Sequence, residues 1–366
     1  MGECFIVRRG GAGQSYSMPV LNEAYPQDVS VVAGPSASAT FSVQITEQGS
    51  PAEYTYKWYK DGTEISGANG PSVTITGLTA AATHTIYCTV ANSAGTVTSR
   101  SASLTVKDWL PTYTYTGTAN LVDDGDYCWR LKLLSSGTLT FTSLGNAAST
   151  GIDAFVVGGG GGGGTNTANG NGSGGGGGGY TLTQSAIQAA INTAYTITIG
   201  AGGSSDNTGG QSSAFTHSAN GGAGGGYMSA GSGGSGGGGH GINDKAAGNG
   251  GSDGSNGEAG TNGGAGGTGQ GTTTREFGET DGALYAGGGG GTSRYGTAAG
   301  TGGAGGGGNG AIMSGYNNSS TGSAGTENTG GGGGGGNARN SNDGGSYGGA
   351  GGSGIVIIRN HREATA

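Results

Sequence analysis

An unbroken run of glycine occupies Gly158 to Gly164, and further runs span Gly174 to Gly179, Gly287 to Gly291, Gly305 to Gly308 and Gly330 to Gly336. No such stretch can fold around an ordinary core, because it has no side chains to bury. The excess is local: 79 of the 94 glycines lie in the 216 residues from Gly151 onward, where Leu, Ile, Val and Phe together number only 18. That share is well under the fifth at which a hydrophobic core becomes doubtful. Ordering these glycines costs on the order of 100 kcal/mol of backbone entropy. A fold here must recover that cost from backbone hydrogen bonds.

Apolar runs that open, interrupt and close the glycine-rich part argue against a flexible linker. They are Ile152 to Val157, Tyr195 to Ile199 and Gly354 to Arg359. A linker needs no closing apolar strand. Bare backbone can instead form the extended left-handed helix of three residues per turn, which makes no internal hydrogen bonds. Several such helices, side by side, can bond to one another because their backbones approach closely. The expectation is a stack of polyglycine helices, with Asn, Ser, Thr and Tyr in turns gathered at its two ends. Collagen is excluded, since the glycines keep no strict every-third register and all six prolines (Pro19, Pro26, Pro35, Pro51, Pro71, Pro111) precede this part.

The first hundred residues read differently. From about Val29 to Val106, short runs alternate apolar and polar positions between turn residues, as in a β-sandwich. They are Ala39 to Val43, Tyr54 to Lys60 ending at the turn Asp61-Gly62, Ser72 to Thr76, Thr85 to Val90, Gly95 to Val97 and Ala102 to Val106. Over about 80 residues this resembles a bacterial or viral immunoglobulin-like domain, with Trp58 in the place of the strand C tryptophan and Cys88 to Gly95 in the place of strand F and its turn. The earlier strand offers Phe41 and Val43 but no cysteine, and Ile86 stands where the corner tyrosine would. Cys88 is therefore expected as a buried free thiol. The resemblance implies a spacer or, less often, a weak carbohydrate binder.

Asp126 to Leu134, Ser136 to Phe141 and Ile152 to Val157, followed by polyglycine and closed by Gly-Ser-Gly-Ile-Val-Ile-Ile-Arg at Gly352 to Arg359, form a second pattern. Over residues 113 to 360 it resembles the glycine-rich domain of phage tail proteins. A related architecture is the polyglycine-helix sandwich of certain tail-fibre adhesins, whose loops at one end touch the bacterial receptor. The expected fold class is all-β with almost no α-helix. The expected division is an attachment segment at 1–25, an immunoglobulin-like domain at 26–107, a strand framework at 108–157 and a polyglycine-helix domain at 158–366 closed by a C-terminal strand.

Charge and cysteine usage narrow the function. With 14 Lys and Arg against 22 Asp and Glu, the net charge is −8. No basic field exists to hold nucleic acid, and the single Arg8-Arg9-Gly10-Gly11 run reads as a solvated strand end. Cys4, Cys88 and Cys128 are too few for a disulfide scaffold or a four-ligand zinc site. No stretch is long and apolar enough to span a bilayer. Asp123-Asp124-Gly125-Asp126 lacks the length and the later Glu of a calcium loop, and His84, His217, His240 and His361 are scattered. No metal, cofactor or membrane insertion is expected.

Catalytic motifs are uninformative in this composition. Gly-x-Ser-x-Gly occurs at Ser235, Ser252 and Ser346, about as often as the glycine content gives by chance. Carboxylates for glycoside cleavage are present but sit mostly amid turn residues. Aromatic and arginine residues set among small ones are more suggestive: Tyr227 and Met228, Arg275 to Phe277, Tyr285, Arg294 and Tyr295, Tyr316 with Asn317 and Asn318, and Tyr347. Tyr, Arg and Asn carry binding at paratope-like surfaces, whereas the structural alternative has each tyrosine covering the edge of a glycine helix.

The leading expectation is a non-enzymatic virion component, a phage tail-fibre or tail-tip protein assembled in the host cytoplasm. It would bind a glycan or protein receptor on the bacterial surface through Tyr227, Arg294, Tyr295, Tyr316, Asn317 and Asn318. Its other partners would be tail or virion proteins, and among homo-oligomers a trimer is favoured from its frequency in fibres, although no heptad repeat specifies one. The alternative is a structural, self-assembling subunit of a virion or cell-surface filament. An enzyme acting on surface polysaccharide and an ice-binding protein are weaker readings.

Overall fold

The computed structural model describes residues 16–166, 172–241, 256–257, 274–293, 298–312, 319–337 and 347–362. The chain divides between Leu110 and Pro111 into two compact units. It is all-β: among the described residues the helical elements are short 3₁₀ turns, Gly145–Ala148 and Glu276–Gly278.

The first unit contains β1 (Val20–Leu21), β2 (Val29–Val32), β3 (Ala39–Ser42), β4 (Ile45–Glu47) and β5 (Thr55–Lys60). It continues with β6 (Thr63–Glu64), β7 (Ser72–Ile75), β8 (Ala82–Asn92), β9 (Gly95–Thr98) and β10 (Ala102–Lys107). One sheet runs β2-β10-β8-β5-β6 with β9 also on β8, while β3 pairs with β7 and β1 with β4. Only β2 and β10 lie parallel in the larger sheet. The period-2 pattern turns Ile86, Cys88 and Val90 of β8 inward, where they meet Trp58, Leu104 and, from the β3–β7 layer, Phe41, Val43, Val73 and Ile75. Trp58 is fully buried, lies opposite Cys88 in the ladder, and donates its Nε1–H to the Gly70 carbonyl at 3.0 Å. Cys88 is a free, buried thiol, and burial pushes its pKa up to about 11. The turn after β5 takes left-handed backbone at Asp61 (φ 51°) and Gly62 (φ 81°), as a two-residue hairpin requires.

The second unit opens with β11 (Thr112–Tyr115), β12 (Ala119–Gly125), β13 (Cys128–Leu133), β14 (Gly137–Ser143) and β15 (Ile152–Val157). Strands also arise inside the glycine-rich part: β16 (Thr181–Ile187), β17 (Ala194–Ile197), β18 (Ser212–Ala214) and β19 (His217–Ala219). The last strand, β20 (Ile355–Asn360), enters the middle of a five-stranded sheet of order β12-β13-β20-β15-β16. A second sheet has order β11-β14-β17. Every residue of β15 and β20 is buried, which explains why both strands are apolar except at Asp153, Arg359 and Asn360.

Cross-strand register assigns the two faces of the larger sheet. Leu131, Val356, Ile358, Ala154 and Val156 share one face. Phe155, Val157, Ile355 and Ile357 share the other, where Tyr285, Ala286 and Phe277 cover them. At one end of that second face stand Arg130, Asp153 and Arg359. Glu276, almost wholly buried, accepts from Arg130 Nη1 at 2.6 Å and from the Tyr285 hydroxyl at 3.2 Å. Arg359 joins Asp153 at 3.1 Å and also pairs with Glu279, its guanidinium 4.0 Å over the Phe277 ring. Charge pairing therefore fastens the 274–286 segment over the sheet.

The glycine runs form the remainder. From Gly158 to Gly164, successive residues face different neighbours and the neighbour recurs every third residue, which is the geometry of the three-fold extended helix. Gly158, Gly161 and Gly164 donate to Tyr180, Gly177 and Gly174, Gly159 and Gly162 to Gly210 and Asn207, and Gly160 and Gly163 to Gly352 and Gly349. Partner numbers fall by three, so these neighbours run antiparallel. The same run accepts from parallel neighbours: Gly159 and Gly162 from Gly222 and Gly225, Gly160 and Gly163 from Gly203 and Asp206, Gly161 and Gly164 from Gly333 and Gly336. These bonds are 2.8 to 3.0 Å long. The central helix is thus enclosed by a hexagonal ring of helices. A Cβ on Gly160 or Gly161 would sit on the carbonyls of Gly331 or Ala223, so only glycine fits.

Candidate functional site at the far end of the glycine stack

Of the helices that run with Gly158–Gly164, those through Gly203 and Gly222 follow strands, and the one through Gly333 starts at a turn whose Gly330 donates to Ser353, just before β20. Gly158 follows β15 and Asn220 follows β19, while Tyr180 and Gly354, on antiparallel helices, lead into β16 and β20. All of these lie at the sheet end. The opposite end is made of turns. Asp206 donates its N–H to the Gly163 carbonyl and accepts the Thr165 N–H on Oδ1 at 2.8 Å. Tyr227 follows Gly226, which is held by Gly174, and pairs with Ser173 in an isolated bridge. Tyr347 opens the descending helix whose Gly348 accepts from Ser205 Oγ at 2.5 Å and donates to Thr165 Oγ1 at 3.3 Å.

These residues surround an open depression of about 660 Å³ lined by Thr165, Ser204, Ser205, Asp206, Tyr227 and Tyr347. Tyr227 is 47% exposed and Tyr347 57% exposed. Two large rings are about half exposed at the end of a frame held by backbone hydrogen bonds. Asp206 takes left-handed backbone (φ 65°), which turns the chain between two helices and leaves its carboxylate at the surface.

Of the site residues expected from sequence, the structure places Tyr227 here. Arg294, Tyr295, Tyr316, Asn317 and Asn318 lie outside the described residues. Ser293 and Ile312, the described residues that precede those segments, pair with each other, and Ser320 Oγ donates to the Ile312 carbonyl at 2.9 Å. Ala311 donates to Gly335, next to the Gly336 that donates to Gly164, so this group belongs to the same end as Tyr227. Tyr285, counted among the suggestive aromatics, is instead a core residue. Its ring meets Phe155 at 5.3 Å and, buried and beside Glu276, its hydroxyl is held well above the usual phenol range. Phe277 likewise packs on Phe155, at 5.9 Å.

The sequence does not single out Thr165, Ser204, Ser205 or Asp206. Asp206-Asn207 between glycine-bearing segments is a turn signal. What brings it beside Tyr347 is helix packing, which no local signal reports.

The first unit has a hollow of about 670 Å³ lined by Met18, Pro19, Val20, Leu21 and Val97 among others. Its walls are mainly apolar, and its one cation, Arg100, is committed to Asp28 and the Pro26 carbonyl. Among the described residues no group of three or more His, Cys, Asp or Glu could hold a metal ion.

The backbone-cored stack, closed by a strand that returns to the first sheet, defines a class, and the comparison with known families agrees with it. The glycine-rich domain model matches residues 134–361, and the chain belongs to that family. No curated protein matches the chain.

Proposed function

We propose that the chain is a non-enzymatic phage tail-fibre or tail-tip protein that binds a receptor on the host cell surface through the far end of its glycine stack. One observation carries this reading. At the end opposite the sheets, turns of a rigid, backbone-bonded frame hold two exposed tyrosines and a surface carboxylate. Stiff frames that display Tyr, Ser and Asn bind with little ordering cost. Membership in the glycine-rich family and the resemblance of both flanks to phage tail proteins support the placement in a virion. The first unit, which resembles an immunoglobulin-like domain, would space the adhesive unit from the particle.

The test is binding of the fluorescently labelled full chain to a panel of bacterial strains. The reading expects adhesion to a narrow subset, with no reducing ends released from the envelopes. Replacing Arg294, Tyr295 and Tyr316 together by alanine should lower adhesion while the melting temperature is unchanged. A folded chain that adheres to no strain and forms ordered multimers in the ultracentrifuge would favour the structural-subunit reading instead.

A further inference from the structure

We infer that the depression between Tyr227 and Tyr347 takes an uncharged saccharide of a cell-surface polymer, stacked on the two rings and held through its hydroxyls by Asp206, Ser204, Ser205 and Thr165. This rests on the adhesion reading above and gives that site its ligand class. The first ground is aromatic. Tyr227 and Tyr347 are about half exposed, and ring faces carry the negative part of the aromatic quadrupole. They attract the polarised C–H bonds that pyranose rings present on one side.

The second ground is the polar complement. A carboxylate offers about four acceptor positions and a hydroxyl one donor and two acceptors. Asp206 Oδ1 accepts the Thr165 N–H, Ser204 Oγ accepts from Asn207, Ser205 Oγ donates to Gly348 and Thr165 Oγ1 accepts from Gly348. Each of these bonds orients its side chain and leaves further capacity for a polyol. Sugar hydroxyls both donate and accept, and match such a set better than an apolar or purely acidic ligand does. The third ground is charge. Among the described residues the lining holds one carboxylate and no basic side chain, so uronic acids and phosphorylated sugars would meet repulsion. Finally, about 660 Å³ lies within the usual range for small-ligand sites and suits two or three sugar units.

The experiment uses the full chain on an array of neutral oligosaccharides, built from hexoses and N-acetylhexosamines, beside acidic oligosaccharides bearing uronate or phosphate. Neutral glycans are expected to bind and acidic ones to fail. Y227A and Y347A should each weaken binding about tenfold or more, whereas Y227F and Y347F, which keep the ring faces, should stay within about threefold. D206N retains an acceptor for the Thr165 N–H but loses the charge, and should weaken binding about tenfold. If the alanine variants fold poorly, the phenylalanine pair and D206N still decide. Wild-type adhesion by folded Y227A/Y347A chains would overturn the site while leaving adhesion standing. Preference for acidic glycans would overturn the ligand class. So would adhesion lost when cells are treated with protease but kept after periodate, which would point to a protein receptor. Failure of the wild-type chain to adhere to any strain would remove the adhesion reading itself and this inference with it.

Discussion

Cys88 shows how burial alone sets the chemistry of a side chain here. Its thiol sits opposite Trp58 in the ladder, fully enclosed, and is pushed up to about 11 from the ordinary 9.0. Only the thiolate is a nucleophile, so in the folded chain Cys88 should resist alkylation at pH 8 while Cys128, half-buried, reacts. Mass spectrometry of iodoacetamide-treated protein checks this, and equal labelling of the two would contradict the packing. The raised value fixes the sign of the linkage. Stability from the buried neutral thiol is complete below pH 9 and is lost as pH climbs towards 11. Asp124 behaves oppositely. Burial pushes its carboxyl up, but hydrogen bonds from Arg130 and Arg362 outweigh that and hold it below 3.8. Its stabilising share is present above that pH and is lost on further acidification, so the second unit should begin to melt earlier as pH falls below about 4.

At the scale of elements, two kinds of contact hold the second unit together, and each has its own test. The 274–286 segment is pinned by ion pairs: Glu276 is 1% exposed and touches Arg130, Lys132 and Tyr285. E276Q removes one of the two carboxylate partners of Arg130 while Asp124 keeps the other, and should cost about 1.5 kcal/mol in urea unfolding. The glycine helices are held by backbone. G161A would drive a methyl group into the Ala223 carbonyl, which belongs to a helix fixed by its own bonds. The expected loss is about 3 kcal/mol or more. G34A in the first unit, where the nearest atom is 4.0 Å away, should change stability by less than about 0.5 kcal/mol. Equal effects would mean that the helices are not packed as described.

For the whole molecule, what could be read in advance depended on side chains. Ile152 to Val157 and Gly354 to Arg359 announce strands because apolar residues cluster there in a part of the chain that has few, and β15 and β20 coincide with them to within a residue. That these two strands pair, with Arg359 beside Asp153, is not legible, because the partners stand about two hundred residues apart and nothing local records the choice. The three-residue helix follows from bare glycine. Which helix neighbours which does not, since glycine carries no side chain to encode register. Tyr285 and Tyr227 look alike in sequence, each a tyrosine among small residues. One is pressed on Phe155 and the other stands in solvent because Tyr285 enters a helix at the sheet end and Tyr227 leaves one at the far end. The candidate site is a product of that polarity: Thr165, Asp206, Tyr227 and Tyr347 are brought together by parallel and antiparallel packing.

The most direct measurement is hydrogen–deuterium exchange of the full chain, free and bound to envelope fragments from a strain to which it adheres. The account predicts slow exchange at Gly158–Gly164 in both states, with protection gained on binding only in peptides of the far end, those carrying Ser204–Asp206, Tyr227, Arg294–Tyr295, Tyr316–Asn318 and Tyr347. Exchange of the glycine runs at unfolded-chain rates would contradict the backbone core. Protection gained instead at the sheet end or in the first unit would contradict the far end as the adhesive surface.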